Sequence, residues 1–166
     1  MSGVGRMALL AIIRLRGRVD VPPDVERTLE LLRLYKKFHA SIYPDSLPGI
    51  QGMLKKAAMW ITWGEIEYDV LLELLRKRGR APGNKPLSDE YIARATNGKY
   101  KTIEELASSL YKGEAMLHKM ENIIKPVFRL HPPSGGFKGS IKKPYGAGGE
   151  LGYRGKEIND LIRRMI

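Results

Sequence analysis

The sequence predicts an α+β fold in which two helices pack on one face of a three-stranded sheet. Over the first 66 residues, short apolar runs typical of strands alternate with segments of helical apolar spacing, in the order strand, helix, strand, helix, strand. Apolar residues make up 43% of the 166 residues, which is enough to build a real core. The other face of such a sheet is left open to be covered or to bind a partner.

The first strand is predicted at Ala8 to Leu15. Its apolar run becomes alternating toward the end, so Ile13 and Leu15 are expected to face the core while Arg14 and Arg16 face outward. This orientation would make both arginines available to a partner.

The first helix is predicted to open at Pro22 and Pro23, where proline loses no needed hydrogen bond. Apolar residues at helical spacing then continue it for about four turns, to Tyr35 and the lysines that follow. The rest of the predicted core is a strand at 39–43, a helix from residue 50 and a strand at 61–66.

Beyond residue 66 the pattern is mostly helical. Ser88 has the side chain of an N-cap, and Thr102 with Glu105 forms a capping box. Val127 to Leu130 is strand-like and could pair with an edge of the first sheet. Helices are predicted at 68–78, from Ser88 to Ala95, from Thr102 to Tyr111 and at 156–166.

The 28 residues from Arg129 to Lys156 differ from the rest of the chain, with eight glycines, three prolines, six Lys or Arg and one acid. Having few large apolar side chains, the segment cannot offset the entropy of fixing its backbone, so alone it is expected to be disordered. A polyanion could order it, because cations neutralise phosphates and Phe137, Tyr145 and Tyr153 could lie on bases. A flexible solvated loop and an RNA-binding segment both fit this composition.

The net charge of +11, with a pI near 9.9, favours nucleic acid or an anionic membrane surface as partner. It is concentrated at the ends: residues 1–66 carry +4, residues 67–122 carry +1 and residues 123–166 carry +6. Arg76, Lys77, Arg78 and Arg80 form a basic cluster that is either a solvated helix end or a phosphate contact. No apolar run is long enough to cross a bilayer, so the protein is expected to be soluble or assembled into something soluble, without a membrane partner.

Catalytic signatures are weak. His39, His118 and His131 have no second ligand at metal spacing, and the chain has no cysteine, so neither a metal site nor a cofactor is expected. Glu65 and Glu67 would share a strand face, but two carboxylates without a pocket signature are poor evidence for acid/base catalysis. An enzyme and a DNA regulator remain the competing classes, and neither a catalytic pocket nor a recognition helix is visible in the sequence.

Two groups of motifs carry a resemblance to a known family. Residues 48–56, PGIQGMLKK, are followed by WGEI at 63–66; later come LHPP at 130–133, Gly135-Gly136 and GGELG at 148–152. Their order and spacing over residues 7–166 resemble large-subunit ribosomal protein thirty in its long archaeal form, whose eukaryotic counterpart is large-subunit protein seven. Gln51 departs from the short bacterial members, which typically have Arg there.

The resemblance implies a ferredoxin-like RNA-binding core at 7–66, with a three-stranded antiparallel sheet, and an extension at 67–166. The extension would consist of helices over 67–122, a strand and basic glycine-rich loop over 126–156, and a terminal helix at 156–166. The implied function is that of a structural, non-catalytic constituent of the large ribosomal subunit in the cytoplasm.

The implied partners are large-subunit ribosomal RNA of the 23S type and neighbouring large-subunit proteins, with 5S RNA as a candidate neighbour and no homo-oligomer. The RNA contacts expected from the core and the extension are Arg14, Arg16, Arg18, Lys55, Lys56, Arg129, His131, Lys138, Lys142, Lys143, Tyr145, Arg154 and Lys156.

Overall fold

The computed structural model describes residues 8–166, so Met7, the predicted start of the core, lies outside the described residues. The strands are β1 (Leu9–Arg14), β2 (His39–Pro44), β3 (Ile61–Glu65), β4 (Arg80–Ala81), β5 (Lys85–Pro86), β6 (Phe128–Arg129), β7 (Ser140–Pro144) and β8 (Gly149–Tyr153). The α-helices are α1 (Pro23–Leu31), α2 (Ile50–Ala57), α3 (Tyr68–Arg78), α4 (Asp89–Ala95), α5 (Ile103–Lys112) and α6 (Ile158–Met165). No helix in this part of the chain combines the length and apolar character that a membrane span needs.

The central sheet has six strands in the order β6-β2-β1-β3-β8-β7. The sheet is thus larger than the three antiparallel strands predicted, although β1 pairs antiparallel with both β2 and β3 in its middle. β6 adds to β2 in antiparallel orientation, as the strand-like segment at 127–130 indicated. On the other side, β8 pairs in parallel with β3, and β7 pairs irregularly with β8.

Both faces of β1 are buried, which explains why its apolar run is nearly continuous. Leu10 and Ile12 join the apolar cluster beneath α1 and α2. Leu9, Ala11 and Ile13 belong to a second, larger cluster, built with α3, α5 and α6. The sheet face that the sequence left unassigned is therefore covered by the chain's own helices.

The helices of the extension begin where their capping residues predict. Ser88 Oγ accepts a hydrogen bond from the Tyr91 amide at 3.1 Å, and Thr102 Oγ1 accepts one from the Glu105 amide at 3.1 Å. The Glu105 carboxylate closes the reciprocal half of the box one residue early, since it accepts from the Lys101 amide at 2.7 Å. Helix α3 has the bounds expected from its apolar spacing.

The predicted four-turn first helix is wrong in length, because α1 ends at Leu31 after 9 residues. Arg33 has a positive φ of 63°, and the Leu34 amide then donates to the Leu29 carbonyl at 2.8 Å. This turn buries Leu34 completely, and the Arg33 guanidinium forms an ion pair with Glu121. Tertiary contacts thus override the helical spacing that continues to Tyr35.

Within the whole chain the glycine-rich stretch contains β7 and β8, whereas disorder was expected for the segment alone. Thr62 Oγ1 donates to the Gly152 carbonyl at 2.8 Å, and the Arg154 amide donates to the Trp63 carbonyl at 2.9 Å. Glycine permits this approach: a Cβ at Gly64 would overlap the carbonyl oxygen of Gly155. Hydrogen bonds to an existing sheet edge therefore order a segment that has few apolar side chains of its own.

Candidate nucleic-acid interface

Arg14 is fully buried, so the prediction that it faces outward is wrong. Its guanidinium donates to both carboxylate oxygens of Glu26 at 3.2 and 3.3 Å and to the Leu34 carbonyl at 2.8 Å. Two further bonds reach the carbonyls of Arg16 and Gly17. Because all its donor directions are used inside the protein, Arg14 fastens the end of β1 to α1 and to the chain beyond it. A side chain in this position has no surface to offer a phosphate.

Arg154 is the second predicted RNA contact that is buried, with 8% of its surface exposed. It donates to the Glu150 carboxylate at 2.8 Å, to the Glu150 carbonyl at 2.6 Å and to Thr62 Oγ1 at 2.8 Å. The single acid of the glycine-rich stretch is thus its internal counter-charge, and both side chains lock β8 against β3. The i,i+4 spacing of the pair was visible in the sequence, but in a segment expected to be disordered it indicated no contact.

Three of the predicted core cations lie together at the carboxyl-terminal end of α2. Lys55 and Lys56 are exposed in its last turn, and Lys56 Nζ lies 3.6 Å from Asp24. The half-buried Arg16 reaches the same end, donating to the Met59 carbonyl at 3.1 Å with its guanidinium 4.8 Å from the centre of the Trp60 ring. The helix dipole favours cations at this end.

The exposed residues of the extension lie on opposite edges of the sheet. Arg129 is on β6 at one edge, whereas Lys142 and Lys143 are on β7 at the other. The structure therefore spreads the predicted contacts over several surfaces. The remaining exposed members of the predicted set are Arg18, His131, Lys138, Tyr145 and Lys156.

The three aromatic residues of the glycine-rich stretch have different environments. Tyr145 is 41% exposed and its ring lies 4.7 Å from the Arg154 guanidinium. Tyr153 is 54% exposed, but its hydroxyl donates to Glu65, which raises the tyrosine pKa. Phe137 packs on Phe38 with ring centres 6.1 Å apart. Tyr145 is the ring best placed to stack on a base, because it is exposed and has a cation beside it.

The expectation that Glu65 and Glu67 share a strand face is wrong, because β3 ends at Glu65 and Glu67 is the N-cap of α3. Two of the histidines are held by contacts inside the protein. Burial and then the charge of Arg129 lower the pKa of His39 to about 4, so this side chain is neutral near pH 7, and its Nδ1 accepts from the Lys36 amide at 3.3 Å. His118 packs on the Tyr43 ring, with ring centres 5.3 Å apart, and burial lowers its pKa. Within residues 8–166, no cluster of three or more acidic or histidine side chains could hold a metal ion.

Sequence reasoning did not connect Arg129 with the cations that surround it. Arg78, Arg80 and Lys125 line a small cleft together with it. The basic run at 76–80, which the sequence leaves open as either a solvated helix end or a phosphate contact, supplies two of the four cations. Lys125 gave no signal, because only the folded sheet edge brings it to Arg80.

The fold and this surface define a small basic α+β protein, built on a sheet covered on both faces and suited to contact a polyanion. The sequence matches the family model described as ribosomal protein L30p/L7e over residues 10–61. The chain belongs to this family.

Archaeal relatives extend the similarity over nearly the whole chain. The large ribosomal subunit protein uL30 of Hyperthermus butylicus is 64% identical over 171 residues, covering 99% of this chain and 94% of the relative. The protein of the same name from Staphylothermus marinus is 63% identical and covers 95% of this chain and 98% of its own length. That of Korarchaeum cryptofilum is 48% identical over the full length of both chains.

Proposed function

We propose that this protein is a structural, non-catalytic constituent of the large ribosomal subunit that binds and stabilises its RNA. The observation that carries the proposal is the end-to-end similarity to archaeal proteins named as members of that subunit. The net charge of +11 supports it, since an RNA-bound protein must neutralise phosphates. The cytoplasm is the compartment that goes with this assignment.

The proposed contact surface consists of the predicted residues that are not buried: Arg16, Arg18, Lys55, Lys56, Arg129, His131, Lys138, Lys142, Lys143, Tyr145 and Lys156. Arg14 and Arg154 are left out because their side chains are used inside the protein. The unit at 7–66 is proposed as the ferredoxin-like RNA-binding core and residues 67–166 as its extension.

These contacts position the protein without reading sequence, because phosphates are the same in every nucleotide. Specificity would come from RNA shape, with Tyr145 adding a stacked base. Cations at opposite edges of one sheet suit a protein that holds separate RNA segments together. The RNA would be of the 23S type, with 5S RNA and other large-subunit proteins as candidate neighbours. The chain would bind as a single copy and not as a homo-oligomer.

The salt dependence of binding follows from the charge. If six phosphate contacts are made to single-stranded or irregular RNA, the slope of log affinity against log salt is about −4. Binding to isolated RNA should therefore collapse at high salt.

Sedimentation tests the assignment. A native-host lysate is run through sucrose gradients at low and high salt, and the fractions are probed for this chain. Sedimentation with the large subunit at both salt concentrations is the expected result, because the contacts are numerous. A chain that stays at the top of the gradient even at low salt would show that the proposal is wrong and would direct attention to an enzymatic role.

A further inference from the structure

A small cationic cleft lies where the end of α3, strand β4 and strand β6 meet. It holds about 50 Å³, space for a few water molecules. Its lining residues are Arg78, Arg80, Asn84, Lys125, Val127 and Arg129.

No acidic side chain in the described part of the chain pairs with the cations of this cleft. Four of the six lining residues are basic and none is acidic. Among the ion pairs of residues 8–166, none includes any of these four. Their neighbours on the same helix differ: Arg76 pairs with Glu104 at 3.3 Å and Lys77 pairs with Glu73 at 3.2 Å. The basic run at 76–80 is thus divided into Arg76 and Lys77, which pair with glutamates, and Arg78 and Arg80, which have no acidic side chain beside them.

Backbone contacts hold these cations in place. The Lys125 amide donates to the Arg80 carbonyl at 2.8 Å, which joins the loop before β6 to β4. Arg80 Nη1 donates to the Gly79 carbonyl at 2.8 Å, and Arg78 Nη2 donates to a main-chain oxygen of Ile166, the last residue, at 2.9 Å. Arg78 Nε is buried and has no hydrogen-bond partner. A buried donor without an acceptor is costly, so one residue that lines the cleft keeps an unsatisfied donor.

We propose that this cleft binds one backbone phosphate of the large-subunit RNA. The inference rests on the proposed function and extends it to a site outside the motifs of the family resemblance. A phosphodiester group fits the chemistry, because its oxygens accept charge-assisted hydrogen bonds from Arg and its charge offsets the crowded cations. Arg129 on β6 links this site to the expected contacts of the extension.

The test compares two double variants of the full chain. Arg80→Gln with Lys125→Gln removes two cations from the cleft, whereas Arg76→Gln with Lys77→Gln removes two paired cations from the adjacent turn. Both variants lose the same charge, so a general electrostatic effect is matched. Affinity for large-subunit RNA is measured over a range of salt concentrations, together with protection of RNA phosphates from ethylation. Lys125→Gln alone is the second variant. The Lys125 side chain makes no hydrogen bond in the described structure, so this substitution should leave the fold intact.

The cleft variant should bind RNA roughly tenfold more weakly at low salt. The slope of log affinity against log salt should become about 1 less steep, and one phosphate that native protein protects should become open to ethylation. The control variant should keep the slope and the protection of native protein. Equal behaviour of the two variants would overturn the proposal.

Two further readings separate the possible failures. If native protein binds no RNA at any salt concentration, the proposed function fails together with the site. If native protein binds but the cleft variant keeps its slope, the site alone fails. Titration of free native protein with inorganic phosphate distinguishes RNA from a small anion as the source of the phosphate. If the cleft binds inorganic phosphate and the cleft variant still protects the same RNA phosphates, the cleft is a site for a small anion. The RNA proposal is then wrong.

Discussion

Arg14 and Arg154 show that cationic side chains in a strongly basic protein also serve its own fold. Each is buried, and each pairs with a carboxylate from the same region of the chain, Glu26 and Glu150. Removing one partner of a buried pair leaves an uncompensated charge and unsatisfied carbonyls, which costs more than the pair itself contributes. Substitution of either arginine is therefore expected to lower the stability of the fold, and any effect on RNA binding should follow from that loss.

Replacing Arg14 by Leu should lower the free energy of unfolding by about 3 kcal/mol, because Glu26 and three carbonyls lose their donor. Denaturant unfolding monitored by circular dichroism measures this. Arg18→Leu is the matched control, since Arg18 is exposed and its one hydrogen bond reaches the Tyr35 carbonyl; a change within about 0.5 kcal/mol is expected there. Unchanged stability of the Arg14 variant together with weaker RNA binding would contradict the structural role.

His39 should make stability depend on pH. Its pKa is about 4 in the folded protein, whereas the ordinary histidine value of 6.5 applies to the unfolded chain. Between these two pKa values the unfolded state binds more protons, so stability is fully present above pH 6.5 and falls as the pH drops toward 4. After allowance for solvent screening of the neighbouring cations, the loss is about 1–2 kcal/mol.

The substitution His39→Asn isolates this effect, because the amide oxygen can still accept from the Lys36 amide. The stability difference between native protein and this variant is measured by denaturant unfolding at several pH values. As the pH falls from 6.5 to about 4, the free energy of unfolding of native protein should decrease relative to that of the variant. A difference that stays constant over this range would show that His39 does not titrate as inferred.

At the scale of elements, patterns that depend on neighbouring residues were predictable. The caps at Ser88 and Thr102 and the bounds of α3 follow from side chains within four residues of each other. The end of α1 was not predictable, since it depends on Arg33 reaching Glu121 and on Arg14 reaching the Leu34 carbonyl. Strand β8 was missed for the same reason, because its hydrogen-bond partner is β3, nearly 90 residues earlier.

Gly64 is the residue on which the joining of β3 to the end of the extension depends. Gly64→Ala places a methyl group against the Gly155 carbonyl and the Ile158 side chain, so the free energy of unfolding should fall by about 1–3 kcal/mol. Hydrogen exchange should show β8 and α6 losing protection first.

Gly52→Ala is the matched control for this substitution. Gly52 lies in α2 with no atom within 4 Å of an added Cβ, so the same change there should stabilise by roughly 0.5–1 kcal/mol. If Gly64→Ala were as harmless as Gly52→Ala, the close approach of the two segments would not exist in solution.

At the scale of the whole molecule, the predicted core and extension share one apolar cluster. Leu9, Ala11 and Ile13 of β1 share this cluster with α6, whose four core residues are at most 1% exposed. A fragment of residues 1–66 would leave one face of its sheet bare. We therefore expect it not to fold alone, with circular dichroism and amide dispersion in NMR as the readouts; a cooperatively unfolding fragment would contradict this expectation.

The candidate site was predictable to the extent that charge and exposure coincide. Ten of the thirteen expected contacts are exposed, because Lys, Arg and Tyr in glycine-rich or helix-end positions stay at the surface. The burial of Arg14 was not predictable, since strand alternation assigned it to the solvent side while Glu26 and three carbonyls draw it inward. The cationic cleft was not predictable either, because Lys125 and Arg129 meet Arg80 only once the sheet edge has formed.

The parallel pairing of β3 with β8 has a consequence for how the chain is made. Synthesis proceeds from the amino terminus, so β1, β2 and β3 leave the ribosome well before β8 and α6 exist. During that interval the cluster of Leu9, Ala11 and Ile13 lacks the apolar residues of β8 and α6, a situation that favours aggregation or chaperone binding. Translation that stops before residue 149 would leave this cluster incomplete even with α3 and α5 in place, and the truncated product should be degraded before it can compete for a place on RNA.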